Sequence, residues 1–437
     1  MSPNSPISPI SPISPISPIS PVSRKSSASF VNDVTAGLKP YPMEELSRIK
    51  SGLVKEGKPV FDFGTGDPRI PTWSPVRQAL LNALPEISQY PSVKGIEKLA
   101  VAQEGYLKRR FGLQTGSDLA VIPSQGSKEA IFNIALCLVG RAGGKKHIIY
   151  PDPGYPVYRS STLYAGGIPY PVRVRADNGY LLEPWELPLD VQKNAAAIWI
   201  NHPHNPTGAT APLEYWRRVI EWAHKTDTIL LSDDCYVDIF DAAIDDAIDD
   251  AIDAQFPVGV QPPVDQDPRP INPLQLSTDR VLSFMSLSKR SGLTGFRAGL
   301  IAGDPRIIAP YLNARANFGV GSPDFIQHAA AVAWADDRHV VDRRKIFTKR
   351  LATFGPLLQE FGMIEKIPST TFYLWAKIPD KFGDDDIAFA MSLARLGIIT
   401  SPSQWLSEGI RGYVRFALVP EDAHMQQAMG ILREYLK

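Results

Sequence analysis

The chain has 437 residues, 44% hydrophobic and 21% charged, with Lys plus Arg equal to Asp plus Glu at 46 each. That length suits two or three domain-sized units, and the balanced charge offers no field for nucleic acid or an anionic membrane surface. No apolar run approaches the ~18 residues that span a bilayer, the N-terminus lacks the pattern of a secretory leader, and Cys137 and Cys235 fall in segments expected to be buried, so a reducing, cytoplasmic setting is expected.

Residues 1–30 carry a Ser-Pro-Ile repeat with proline at every third position from Pro3 to Pro21. Polyproline II has about three residues per turn, so these prolines would line one face of a rod; we read the segment as a disordered tail rather than a docking ligand. Between residues 76 and 320, β-branched runs at 119–122, 147–150, 196–200, 228–231, 280–285 and 297–301 alternate with helical patterns such as 127–139 and 212–225. That alternation predicts an α/β large domain with a mainly parallel sheet covered on both faces. An Ala-Ile-Asp-Asp repeat at 243–253 lies in an acidic, proline-rich loop insertion at 241–275. It lacks the mid-loop glycine and closing glutamate of a calcium-binding EF-hand loop. From 321 to 437, helical patterns at 324–334 and 340–354 precede strands at 371–378 and 412–419 and a helix from Glu421, a smaller α+β domain.

The chemistry concentrates after the run 281–285, in Ser286-Leu-Ser-Lys289-Arg-Ser-Gly-Leu-Thr-Gly-Phe-Arg297. A lysine ending a buried strand is costly unless its amine does chemistry, and the hydroxyls and guanidinium around it suit a phosphate. A cofactor that is both phosphate ester and aldehyde, pyridoxal phosphate held as a Schiff base, answers both features. On this stretch alone a lysine in a surface loop stays open. Three more stretches complement it. Gly126-Ser127-Lys128 opens a helix whose free N–H groups can receive a phosphate, Asp233 ends a strand with Tyr236 three residues on, and Asn205-Pro-Thr-Gly208 follows another strand. Arg415, inside an apolar strand, needs an anionic partner. His202 and His204 flank the Asn205 turn without a third ligand at metal-binding spacing, so no metal is expected.

In this order and spacing the four stretches resemble the class I and II aminotransferases of pyridoxal-phosphate fold type I, over roughly residues 30–437. The resemblance implies that segment 31–75 packs with the small domain. It implies that Lys289 holds the cofactor and moves the substrate Cα proton, that Asp233 faces the pyridine nitrogen, and that Tyr236 and Asn205 donate to the phenolic oxygen. Gly126, Ser127, Lys128, Ser286, Ser288 and Arg297 are then the phosphate cup, with Tyr155 stacked on the ring. Tyr90 reaches the phosphate of a neighbouring subunit, implying a homodimer with shared sites. Arg415 clamps the substrate α-carboxylate, the Gly66 backbone approaches the substrate, and Arg411 lies at the rim. Asp234 stands where many relatives carry glutamate. Stretches around Gly66, Gly126 and Lys289 most resemble N-succinyldiaminopimelate aminotransferases of lysine biosynthesis, using glutamate as amino donor. LL-diaminopimelate or broad aromatic/alanine-type transamination is the alternative, with a lyase or decarboxylase, or an aminotransferase-like regulator, from other classes. A distal carboxylate calls for a second cation, with Arg69 and Arg290 as candidates.

Overall fold

The computed structural model describes residues 30–38, 42–141, 143–244 and 262–437; the Ser-Pro-Ile repeat and residues 245–261 of the expected insertion lie outside them. Residues 30–38 belong to a unit of their own, one short helix, Asp33–Gly37, whose first turn is closed by the Asn32 side chain accepting from the Thr35 N–H at 2.9 Å.

The second unit, from residue 41 onward, holds twelve strands among its described residues. In chain order they are β1 (Phe61–Asp62), β2 (Ala120–Ser124), β3 (His147–Asp152), β4 (Ile168–Arg173), β5 (Ala195–Asn201), β6 (Ile229–Asp233), β7 (Val281–Ser286), β8 (Gly299–Gly303), β9 (Tyr373–Lys377), β10 (Ile398–Ile399), β11 (Ser401–Pro402) and β12 (Tyr413–Ala417). Seven form one sheet in the order β2-β8-β7-β6-β5-β3-β4, parallel except for β8. β5 is buried at all its positions, as a strand covered on both faces must be. Its Ile198 and Ile200 face one core with Ile149 and Leu230, while Ala197 and Trp199 face the other with Leu231 and Phe284. The helices Ser127–Leu138 and Leu213–Lys225 lie on these opposite cores.

The strand expected at 297–301 begins instead at Gly299, because Arg297 takes a left-handed φ of +52° and ends the preceding turn. β4 escaped the sequence pattern: Pro169 and Pro171 interrupt it, which an edge strand paired only to β3 tolerates. Cys137 is a correction, since the helical period turns Ile134, Ala135 and Leu138 inward and leaves the thiol exposed.

Two smaller sheets sit around a separate core: β11-β12-β9, antiparallel, and β1 parallel with β10. Phe63, Leu374 and Phe416 pack there against the helices Arg338–Glu360 and Asp422–Leu436, through residues such as Phe354 and Leu432. The first of these helices extends past the expected end at 354 and through Pro356.

Candidate active site

Ligands of open α/β sheets bind at the carboxyl ends of the strands, where loops diverge and leave a crevice. Here the ends of β5, β6 and β7 and the helix after β2 open onto a cavity of about 380 Å³, whose other wall is built from Thr65, Gly66, Asp67, Tyr373, Ser401, Trp405, Leu406 and Arg415.

Asp233 ends β6 and is 4% exposed. The Tyr158 hydroxyl donates to its Oδ2 at 2.6 Å and the Cys235 N–H to its Oδ1 at 3.4 Å. Burial pushes the carboxyl upward from its ordinary range, opposed by the contacts from Cys235 and Tyr158 and by the charge on Lys289. A ring nitrogen carrying a proton would supply the cation that this burial otherwise denies it. Lys289 follows β7 in the short helix Leu287–Arg290, and its amine donates to the Gly66 carbonyl across the cavity.

Gly126, at φ +76°, sets the start of the helix Ser127–Leu138. A Cβ there would stand 2.6 Å from Arg297 Nη2, so the guanidinium lies directly over this turn. Arg297 donates to the Thr294 carbonyl at 3.0 Å and has no carboxylate partner among the described residues. Free helix N–H groups, the hydroxyls of Ser127, Ser286 and Ser288 and this guanidinium together fit a phosphate.

On the opposite wall Arg415 is 7% exposed. Its Nη1 donates to Asn205 Oδ1 at 2.9 Å and its Nη2 to the Gly64 carbonyl at 2.9 Å and Ser401 Oγ at 3.3 Å, while Nε is buried with no partner among the described residues. All these acceptors are neutral. A buried guanidinium met only by neutral acceptors has capacity left for an anion, which suits a carboxylate seat. Asn205 is tied back to the cofactor side, because its N–H donates to Asn201 Oδ1 at 2.7 Å and Asn201 Nδ2 donates to the Asp233 carbonyl at 2.8 Å.

The cavity thus brings together Gly66, Ser127, Lys128, Tyr155, Asn205, Asp233, Tyr236, Ser286, Ser288, Lys289, Arg297 and Arg415. Gly126 lies beneath Arg297 rather than on the wall. Tyr90 stands fully exposed and does not line the cavity. Arg69 is also outside, 61% exposed and 3.3 Å from Asp62. Arg290 is a correction: it is 3% exposed, bound through Nε to Asp238 at 3.0 Å and through Nη1 to the Ala333 carbonyl at 2.8 Å, and it pairs with Asp337, so no donor is left for a substrate. Arg411 is exposed and donates to the Ile410 carbonyl. His202 and His204 are held neutral by burial, pushed down to about 3 and about 4, and His204 ties the Asn205 turn to Thr207 and to the Pro153 carbonyl.

The sequence reading missed several residues. Tyr158 is the direct partner of Asp233, and its signal was present as the second tyrosine of Pro153-Gly-Tyr-Pro-Val-Tyr158. Tyr373, whose hydroxyl is 2.9 Å from that of Tyr236, sat unmarked in a predicted strand. Cys235 lines the cavity and donates to Ser127 Oγ at 2.9 Å. Asp67 also lines the cavity, with no ion pair among the described residues.

The sequence profile of "Aminotransferase class I and II" matches residues 58–432. An LL-diaminopimelate aminotransferase of Aquifex aeolicus (strain VF5) is 31% identical over 398 residues, 90% of this chain and 96% of that protein. One of Gloeobacter violaceus is 32% identical over 395 residues, 90% and 94% of the two chains. Among solved structures, an aminotransferase from Neisseria meningitidis Z2491 superposes with a TM-score of 0.79 at 29% identity, over 93% of this chain and 100% of that one. A probable N-succinyldiaminopimelate aminotransferase from Thermus thermophilus has a TM-score of 0.76 over 90% of this chain and 99% of its own, but at 22% identity it speaks to the fold alone.

Proposed function

The chain belongs to the class I and II aminotransferases and is a pyridoxal-phosphate-dependent transaminase of amino and keto acids, and we propose that it exchanges an amino group between LL-diaminopimelate and 2-oxoglutarate/glutamate. This replaces the N-succinyl substrate favoured from the sequence, since relatives matching about 90% of the chain at 31% and 32% identity are named for LL-diaminopimelate. Family and relatives named for transamination likewise displace the lyase and regulator alternatives.

The observation that carries the substrate is Asp67, a half-buried carboxylate on the wall beside Gly66. The cavity's cations are Lys128, Lys289, Arg297 and Arg415. In this reading Lys289 and Arg297 serve the cofactor and Arg415 the α-carboxylate. A distal end that is itself a zwitterion offers its ammonium to Asp67. A succinylated end would present further carboxylates and no ammonium, facing that same anion.

The bound cofactor supplies an electron sink for the substrate's Cα–H bond. The chain's own residues do the rest. Lys289 would hold the cofactor, and its amine would move the proton at the substrate's Cα. Asp233, steadied by Tyr158, keeps the ring nitrogen protonated, and Tyr236 and Asn205 donate to the phenolic oxygen. Gly126, Ser127, Lys128, Ser286, Ser288 and Arg297 would retain the phosphate, Tyr155 would pack on the cofactor, and Arg415 would orient the substrate by its carboxylate.

The exposed apolar residues Leu81, Leu84, Ile87 and Val101, which flank Tyr90 in sequence, support a homodimer in which a second copy covers them and Tyr90 completes its neighbour's phosphate site. A cytoplasmic location, and the division into a large domain at 76–320 and a small one at 321–437 joined by 31–75, belong to the same proposal. Among the described residues no helix is long and apolar enough to cross a membrane.

The test is the half-reaction. Purified enzyme is given LL-diaminopimelate, N-succinyl-LL-diaminopimelate or glutamate separately, and formation of pyridoxamine phosphate is followed. We expect conversion by the first and third. Conversion by the succinylated donor, with none by LL-diaminopimelate, would refute the substrate assignment.

A further inference from the structure

Tyr373 enters the cavity by way of a strained backbone. Two residues before it, Thr371 has a φ of +62°. That left-handed conformation is a genuine outlier for a β-branched residue and persists only where the surroundings enforce it. Here Thr370 Oγ1 donates to the Gly208 carbonyl at 2.6 Å and the Thr371 N–H to the Ile239 carbonyl at 2.8 Å. The bend is therefore held by the two loops that carry Asn205 and Tyr236. It delivers Tyr373, 1% exposed, to the point where these residues meet.

Three contacts surround the phenol. Its hydroxyl is 2.9 Å from that of Tyr236. A Cβ on Gly66 would stand 2.1 Å from it, so the glycine that gives its carbonyl to Lys289 also leaves the room for this hydroxyl. The Tyr373 ring lies 4.5 Å from the Arg415 guanidinium. The register explains that stack: Tyr373 pairs with Ala417 and Arg415 with Trp375, which makes Tyr373 and Arg415 diagonal neighbours on one face.

We propose that Tyr373 is a positioning residue of the reaction centre, acting through Tyr236 on the cofactor's phenolic oxygen and through Arg415 on the substrate's α-carboxylate. The proposal rests on the aminotransferase reading. A Tyr373 hydroxyl donating to Tyr236 leaves the Tyr236 proton free to point at the phenolic oxygen and polarises it, because chained hydrogen bonds strengthen one another. Loss of that donor makes the phenolic oxygen more basic, so the proton of the lysine–cofactor linkage is held more tightly. The ring meanwhile fixes the guanidinium plane.

The experiment uses the holoenzyme with Tyr373→Phe, Tyr236→Phe and the double variant, and titrates the absorbance of the bound cofactor against pH. Tyr373→Phe should raise the midpoint by roughly half a pH unit, with KM for glutamate within about twofold because the ring remains. Added to Tyr236→Phe it should shift the midpoint no further, since its route is already cut. Tyr373→Leu, which lacks the ring, should raise KM by about tenfold. An unmoved midpoint in Tyr373→Phe, or an equal shift in both backgrounds, overturns the proposal. Lys289→Ala separates the two levels of inference: if the wild-type protein shows no titrating absorbance that depends on Lys289, the aminotransferase reading itself has failed and the proposal falls with it.

Discussion

The two walls of the cavity are built by different means. The cofactor wall is a row of strand ends held level by one sheet: Asn201 pairs with Asp233, Asp233 with Phe284, and Ser286 and Ser124 both with Gly299. The substrate wall is assembled from pieces distant in sequence, with Arg415 and Ser401 both bonded to the Gly64 carbonyl and Tyr373 delivered by a strained bend. A row of strand ends tolerates no shift without displacing several groups together, whereas the opposite wall can exchange one side chain and alter one contact. Chemistry should therefore be lost by lesions on the first wall, and affinity or selectivity by lesions on the second.

The largest effect is expected at Lys289. Lys289→Ala should lower turnover by at least about a thousandfold, because one amine serves both attachment and proton transfer. Cofactor should still bind through the phosphate cup, which equilibrium dialysis would detect. Wild-type turnover in the variant would remove Lys289 from the mechanism.

Arg415→Ala tests the second wall. It should raise KM for both glutamate and LL-diaminopimelate by about thirtyfold to several-thousandfold, the usual range for deleting one partner of a buried charge-assisted pair, and leave the cofactor absorbance in place. A lost absorbance would mean that the walls are not separable. Asp67→Asn sharpens the contrast further. It should lower kcat/KM for LL-diaminopimelate by about tenfold and leave glutamate within about twofold. Equal losses for both substrates would place Asp67 in general architecture instead of distal recognition.

The same division explains what the sequence disclosed. The cofactor wall was legible because each of its residues sits at or just after the end of a short apolar run, so the stretches around Asp233, Asn205, Lys289 and the Gly126 turn stood out from period and spacing, while their roles came from the family resemblance. Arg415 was legible for another reason, a charge within an apolar strand. Tyr373 and Asp67 carried no such mark, because their roles depend on contacts between segments hundreds of residues apart. Arg290 misled for the converse reason: a cation inside the cofactor's own stretch looks available until the fold surrounds it with Asp238 and Asp337. Strand β4 was lost to its prolines, which an edge position excuses but a local pattern does not.

The smallest effect on activity is expected at Asp234, next to the most sensitive carboxylate on the same strand end. Alternation turns Asp234 away from the cavity, where it accepts from Ser232 Oγ at 2.8 Å, from Asn272 Nδ2 at 3.1 Å and from Ser283. Burial pushes its carboxyl up to about 7 from an ordinary value of 3.8, the Ser283, Ser232 and Asn272 donors opposing the rise and the neighbouring Asp233 charge adding to it. Between those two values the folded protein keeps a proton that the unfolded chain has released. The associated stability is fully present below the lower value, declines as pH rises towards the higher, and is lost above it, by an amount on the order of a few kcal/mol. Asp234→Asn is nearly isosteric: its oxygen can accept from Asn272 and Ser283 and its amide can donate to the Ser232 hydroxyl. The variant should keep turnover within about twofold and show a shallower fall of Tm between about pH 4.5 and about pH 7.5, values chosen to bracket most of the roughly pH 4–7 window. Parallel Tm curves would show that Asp234 titrates alike in both states. A large loss of turnover would show instead that the neighbour steers Asp233, and the two sides of this strand end would then be one device.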